Sequence, residues 1–120
     1  MESIADFLFE VGMLSKTPRS GYQFLGSGRE SVAEHILRTV FIGYALCKLN
    51  PSLNELRVLK MCILHDLPEA RTGDMNYVNK KYVEVNEAKA VRELTEGLFF
   101  GGDIRQAIDE FNARETPEAK

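Results

Sequence analysis

Apolar residues along this chain recur every three or four positions in five separate stretches, each bounded by start and stop signals. Ile4, Phe7, Leu8 and Val11 form the first stripe, which Ser3 and Asp6 open as an acidic form of the capping box. Gly12 and the run SKTPRSGYQFLGSGR, with Pro18, Gly21, Gly26 and Gly28, then predict a loop. Ser31 with Glu34 starts a second helix through Ile36, Leu37, Val40, Phe41, Tyr44 and Ala45 to about Leu49, where Asn50-Pro51 stops it. Ser52 with Glu55 starts a third, with Leu56, Leu59, Cys62 and Ile63 on one face. Pro68 has no N–H to donate and disfavours helical backbone at Leu67, so a kink or break is expected there. RTGDMNYVNKKY reads as a second loop.

A fourth helix is expected from about Glu84 to Phe99, ending at Gly101-Gly102. Asp103 with Gln106 then caps a fifth through Ile104, Ala107, Ile108 and Phe111. Thr116-Pro117-Glu118 has the form of one more helix start, with an N-cap, proline at the first helical position and then an acid. A sixth helix is therefore expected to begin there and to be cut off at Lys120. No stretch alternates with period two and no repeat stands out. The pattern predicts an all-α fold, and 120 residues are enough for one domain with its own core.

Composition narrows the classes of function. The net charge is −3 and the densest basic point is Lys80-Lys81, so nucleic acid is not an expected partner. The two cysteines, Cys47 and Cys62, lie in apolar helical patterns without a C-x-x-C arrangement. They are expected as buried, reduced thiols of a cytoplasmic protein. MESIADFLFEVG lacks the basic start and apolar run of a signal peptide, and no run is long enough to span a bilayer. Neither a membrane nor a leader enters the expectation.

The chain has two histidines, arranged as His35 in SVAEHILR and the pair His65-Asp66 in ILHDLPEARTGD. A lone histidine one turn inside a helix, sharing a face with Thr39 and Ile42, reads first as a hydrogen-bonded core residue. An imidazole and a carboxylate side by side at a helix end are harder to ascribe to packing. Two neutral imidazoles and one carboxylate suit Mn, Fe, Co or Zn. Three protein ligands with open positions mark a catalytic site. Glu69 follows His65 by four and Asp66 by three, which keeps its carboxylate on their side if the helix continues; it reads as a base for water or as a solvated charge. Asp74 in TGD is equally a turn aspartate. Arg19, in the glycine-bracketed loop, suits bidentate grip on phosphate or simply faces water.

These motifs resemble the HD-domain phosphohydrolases, and within them the 5'-deoxynucleotidase branch that includes the oxetanocin-like proteins and HD-domain-containing protein 2. VGMLSKTPRSGY, ESVAEH, HDLPEARTGD and ETPEAK carry the resemblance nearly end to end. It implies an HD-domain helical bundle and often a homodimer. It also implies His35, His65 and Asp66 as ligands of one divalent metal (Mn, Co, Fe or Zn, with Mg as a further option). Glu69 would position or deprotonate the attacking water, Arg19 would hold the substrate phosphate, and Asp74 would act as a supporting carboxylate. The implied reaction converts a deoxyribonucleoside monophosphate to nucleoside and phosphate, through water activated at the metal.

Two departures accompany it. The family's fourth ligand is an aspartate beyond Thr116 that would follow Lys120, so the bundle is expected to lack its C-terminal helices, with Asp74 and Asp109 left as candidates to fill the gap. Some relatives carry an aromatic beside the loop arginine, where this chain has Ser20; Tyr22 is the nearby substitute for packing on the sugar, and ribose or deoxyribose is left open. The competing expectation is a non-catalytic HD scaffold that binds a nucleotide or a protein. A phosphodiesterase for cyclic or oligonucleotide substrates ranks last, since a second metal would call for additional histidines. Loss of the C-terminal helices is also expected to expose apolar faces on the fifth helix and on those before it.

Overall fold

The computed structural model describes residues 2–18, 30–73 and 81–119. Its helices are α1 (Glu2–Gly12), α2 (Val32–Leu49), α3 (Glu55–Leu64), α4 (Glu69–Thr72), α5 (Glu87–Leu94) and α6 (Gly101–Ala113), with a 3-10 turn at Met13–Lys16. Among the described residues no strand occurs, only an isolated antiparallel bridge between Pro18 and Ser31. The fold is all-α, as the periodicity requires. The expected loop segments over residues 19–29 and 74–80 lie outside the described residues.

The signal before α2 forms as written: Ser31 Oγ accepts from Glu34 N and Glu34 Oε1 accepts from Ser31 N, each at 3.1 Å. Three other start signals shift. Ser3 lies inside α1, which already begins at Glu2. Asn54, not Ser52, caps α3 by accepting from Arg57 N at 3.2 Å, while the Ser52 hydroxyl is spent on Asn50 Oδ1 at 2.6 Å. Gly101-Gly102 opens α6 rather than ending the helix before it, and Asp103 instead pairs with Lys60 at 2.7 Å. Gly101 is needed there, because a Cβ would sit 2.9 Å from the Thr95 carbonyl oxygen. The fourth predicted helix is shorter than its pattern. Asn86 caps it, and it ends where Thr95 Oγ1 turns back to the Val91 carbonyl at 2.8 Å.

The core gathers Leu14, Val32, Leu67, Val91, Leu94, Leu98, Ile104 and Ile108, with Ile4, Phe7 and Val11 of α1 packed against it. Leu8 belongs to the predicted stripe but is exposed. On α3 the buried side is Val58 and Met61, whereas Leu56 and Ile63 face outward. The exposed apolar faces fall on α2 (Leu37, Phe41, Leu46, Leu49) and α3, while Ile104, Ala107 and Ile108 of α6 are covered. Cys47 is buried and Cys62 only half-buried; both are free thiols. No helix among the described residues is long and apolar enough to cross a membrane.

Two features hold α2 and α3 where the site needs them. Gly43 on α2 lets the helices close, since a Cβ there would lie 2.7 Å from Cys62 Sγ and 3.2 Å from Val58 Cγ1. At the start of α3, Arg57 forks onto Glu110 of α6 at 2.7 and 3.3 Å, and Glu118 Oε2 accepts from Asn54 N at 3.1 Å. The expected helix start at Thr116 forms as a single turn, with Thr116 Oγ1 accepting from Ala119 N at 3.2 Å.

Candidate metal centre

Helix α3 ends at Leu64, so the carbonyls of its last turn are open to bonds from the residue that follows. His65 uses them. Its backbone N–H donates to Met61 O at 2.9 Å, and its ring Nδ1 lies 3.0 Å from both Met61 O and Cys62 O. A ring nitrogen facing two carbonyls must carry the proton, so in the neutral imidazole the lone pair belongs to Nε2. The Phe111 ring leans on the imidazole at 4.8 Å between centroids. The His65 side chain keeps only 10% of its exposure.

Asp66 Oδ2 lies 3.0 Å from His65 Nε2 and 3.3 Å from His35 Nε2. His35 arrives from the second turn of α2, its N–H bonded to Ser31 O at 3.1 Å and its carbonyl bonded by Thr39 Oγ1 at 2.8 Å. One ligand atom from each of His35, His65 and Asp66 falls within 4.8 Å of the others. Among the described residues this is the one group of three or more donors arranged for a metal ion.

The donor set fits a divalent transition ion on two counts. It offers two nitrogens and one oxygen, and the orienting bonds at Nδ1 already aim the Nε2 lone pair of His65 inward. Burial pulls the His65 pKa down, but the Asp66 carboxylate and the carbonyls of Met61 and Cys62 outweigh it and hold the pKa above its ordinary 6.5. Ligation must displace the proton that this environment favours at low pH.

The helix is interrupted by turns at residues 65–68 and the chain resumes as the single turn α4, so Glu69 follows the site on a separate element. A cleft of 130 Å³ joins them, lined by His65, Asp66, Pro68, Glu69, Thr72 and Gly73 on one side and by Val85 and Glu87 on the other. Val85 and Glu87 were not singled out in the sequence, where nothing in the spacing ties residues 85–87 to His65. The orienting role of Met61 and Cys62 was legible in principle, since a histidine at a helix C-terminus meets free carbonyls. Asp109 is exposed on α6 and lines a different groove, apart from the three candidate ligands. Arg19, Tyr22 and Asp74 lie outside the described residues.

The HD-domain family matches residues 11–120 of the chain. The chain is 32% identical over 128 residues to the 5'-deoxynucleotidase hdd1 of Schizosaccharomyces pombe, covering 98% of this chain and 64% of that protein. It is 31% identical over 127 residues to the 5'-deoxynucleotidase HDDC2 of Danio rerio, covering 100% and 62%. The chain thus spans less than two thirds of the length of these relatives. Among solved structures, a conserved hypothetical protein from Pyrococcus furiosus superposes with a TM-score of 0.84 at 28% identity over 96% of this chain and 70% of that one. A structure described as a predicted metal-dependent phosphohydrolase from Magnetospirillum magnetotacticum gives 0.80 at 26% identity, covering 98% and 63%. With the match running from the end of α1 through the H…HD residues to the last residue, the chain belongs to the HD-domain family.

Proposed function

We propose that this chain carries the metal-binding part of a phosphomonoesterase that hydrolyses (deoxy)ribonucleoside 5'-monophosphates to nucleoside and phosphate. The observation that carries the reading is the convergence of His35, His65 and Asp66 within 4.8 Å, beside a cleft that also holds Glu69. The 5'-deoxynucleotidase names of the relatives supply the substrate class.

His35, His65 and Asp66 would hold the ion, which when bound supplies Lewis acidity toward a phosphoryl oxygen and toward water. Glu69 takes the proton of the attacking water, and the departing 5'-oxygen regains one as its bond to phosphorus breaks. Met61 and Cys62 keep His65 in the tautomer the site requires. Arg19 neutralises the phosphate, Tyr22 packs on the sugar, and Asp74 supports the polar end of the site. The reading extends to a cytoplasmic homodimer acting on free nucleotides.

The test is phosphate release from a panel of deoxynucleoside and ribonucleoside monophosphates with Mn, Co, Mg or Zn, run on this chain and on His65→Ala. Release that needs both metal and His65 is the expected result, and the panel settles the sugar. Silence with every substrate and metal, together with tight nucleotide binding, would replace the enzyme by a binding module on the same scaffold.

A further inference from the structure

Arg71 stands two residues beyond Glu69 on α4, a helix of four residues. A helix of one turn has no stability of its own, so its position must come from what it is tied to. Ala70 ties it to the core on one side. On the other, Arg71 reaches two different helices. Its Nε and Nη2 donate to the two carboxylate oxygens of Glu10 on α1, at 2.8 and 2.5 Å, and its Nη1 donates to Glu93 on α5 at 2.9 Å. A planar fork with three charge-assisted bonds fixes direction as well as distance, which a single exposed ion pair does not.

We infer that Arg71 is a positioning residue for the hydrolytic step: by pinning α4 to α1 and α5 it sets where Glu69 stands relative to His65 and Asp66. The inference rests on the phosphomonoesterase reading above. The metal ligands sit on α2 and at the end of α3, outside the clamp, so Arg71 acts on the water-activating carboxylate and not on the ion's own ligands. Misplacing a proton acceptor by about an ångström costs on the order of a hundredfold in rate. Loss of the clamp therefore acts on kcat and leaves KM and metal affinity in place.

The experiment compares the full chain with Arg71→Ala, Arg71→Lys, Glu10→Gln and Glu93→Gln. Lys60→Ala, which breaks an ion pair away from the cleft, serves as the control for general stability. Amide hydrogen exchange at residues 71–73 reads the clamp directly, because those N–H groups bond within α4 and its cap. In Arg71→Ala that exchange should quicken by about tenfold. Its kcat should fall by about ten- to a hundredfold, with KM and the Mn dissociation constant unchanged within about twofold. Arg71→Lys and the two glutamine variants should fall between, and Lys60→Ala should leave kcat unchanged.

Exchange at 71–73 that does not respond to Arg71→Ala overturns the clamp. A kcat that holds, or that falls only in step with Mn affinity, overturns the positioning role. A wild-type chain that releases no phosphate overturns the catalytic reading and the catalytic half of this inference with it, while the exchange rates still report whether Arg71 holds α4.

Discussion

Nδ1 of His65 lies 3.0 Å from the carbonyl oxygen of Met61, one turn earlier on the helix that delivers it. The end of α3 thus supplies the orienting partner that a ligating imidazole would need. His65 should therefore be indispensable for metal binding. Added Mn should raise the thermal midpoint, and an excess of a hundred times the dissociation constant corresponds to about 2.7 kcal/mol. A chelator should reverse the shift, and it should vanish in His35→Ala, His65→Ala and Asp66→Ala. Scanning calorimetry with and without Mn checks this; an undiminished shift in any of the three would remove that residue from the ligand set.

At Gly43 α2 packs against Cys62 and Val58 of α3, and the candidate metal ligands come from α2 (His35) and from the two residues that follow α3 (His65 and Asp66). Gly43→Ala must displace Cys62 Sγ and crowd Val58, at a cost of about 1–3 kcal/mol. Because the Cys62 carbonyl lies 3.0 Å from His65 Nδ1, a shift of Cys62 disturbs the imidazole, and Mn affinity should drop with it. Urea midpoints and a Mn titration measure the two effects. Lower stability with unchanged affinity would mean that the helices yield locally without parting at the site.

The capping box at Ser31 stands one turn before His35. Ser31→Ala should lower stability by about 1 kcal/mol. Fraying of that turn loosens His35, so Mn should bind less tightly, by about threefold. Isothermal titration of the variant against the parent decides it, and an identical dissociation constant would show His35 held by the rest of α2 alone.

Glu110 provides a pH dependence. Burial pushes its carboxyl pKa up, but the Thr116 hydroxyl and the Arg57 guanidinium together bring it below its ordinary 4.5. A depressed folded pKa means that the stabilisation is present above 4.5 and lost as pH falls through the folded value. Unfolding midpoints should therefore decline on acidification below that range, and Glu110→Gln should show a shallower decline from a lower start. Parallel profiles for the two proteins would assign the acid sensitivity to other carboxylates.

What was readable in the sequence divides by the range of the interaction that decides it. The helices, the break near Pro68 and the Ser31–Glu34 box depend on neighbours within four residues and were legible. The side of α3 that turns inward was misread because Leu56 and Ile63 look as apolar as Val58 and Met61, and tertiary packing, not local pattern, chooses between them. Gly101-Gly102 read as a stop although Thr95 requires a glycine at a helix start. At the candidate site, the convergence of His35, His65 and Asp66 was legible from residue type and the H…HD spacing. Val85 and Glu87 line the cleft from about twenty residues beyond His65 in sequence, a separation that no local pattern bridges.

The bond from Asn54 to Glu118 joins residues 64 positions apart, and that from Arg57 to Glu110 joins residues 53 apart. Both grip the start of the helix whose other end presents His65. Contacts of that span carry a larger loop-closure cost than the local helices do. His65 and Asp66 are thus translated well before the segment that steadies them, and a nascent chain ending at α4 would carry all three candidate ligand residues while the start of α3 still lacks its anchors.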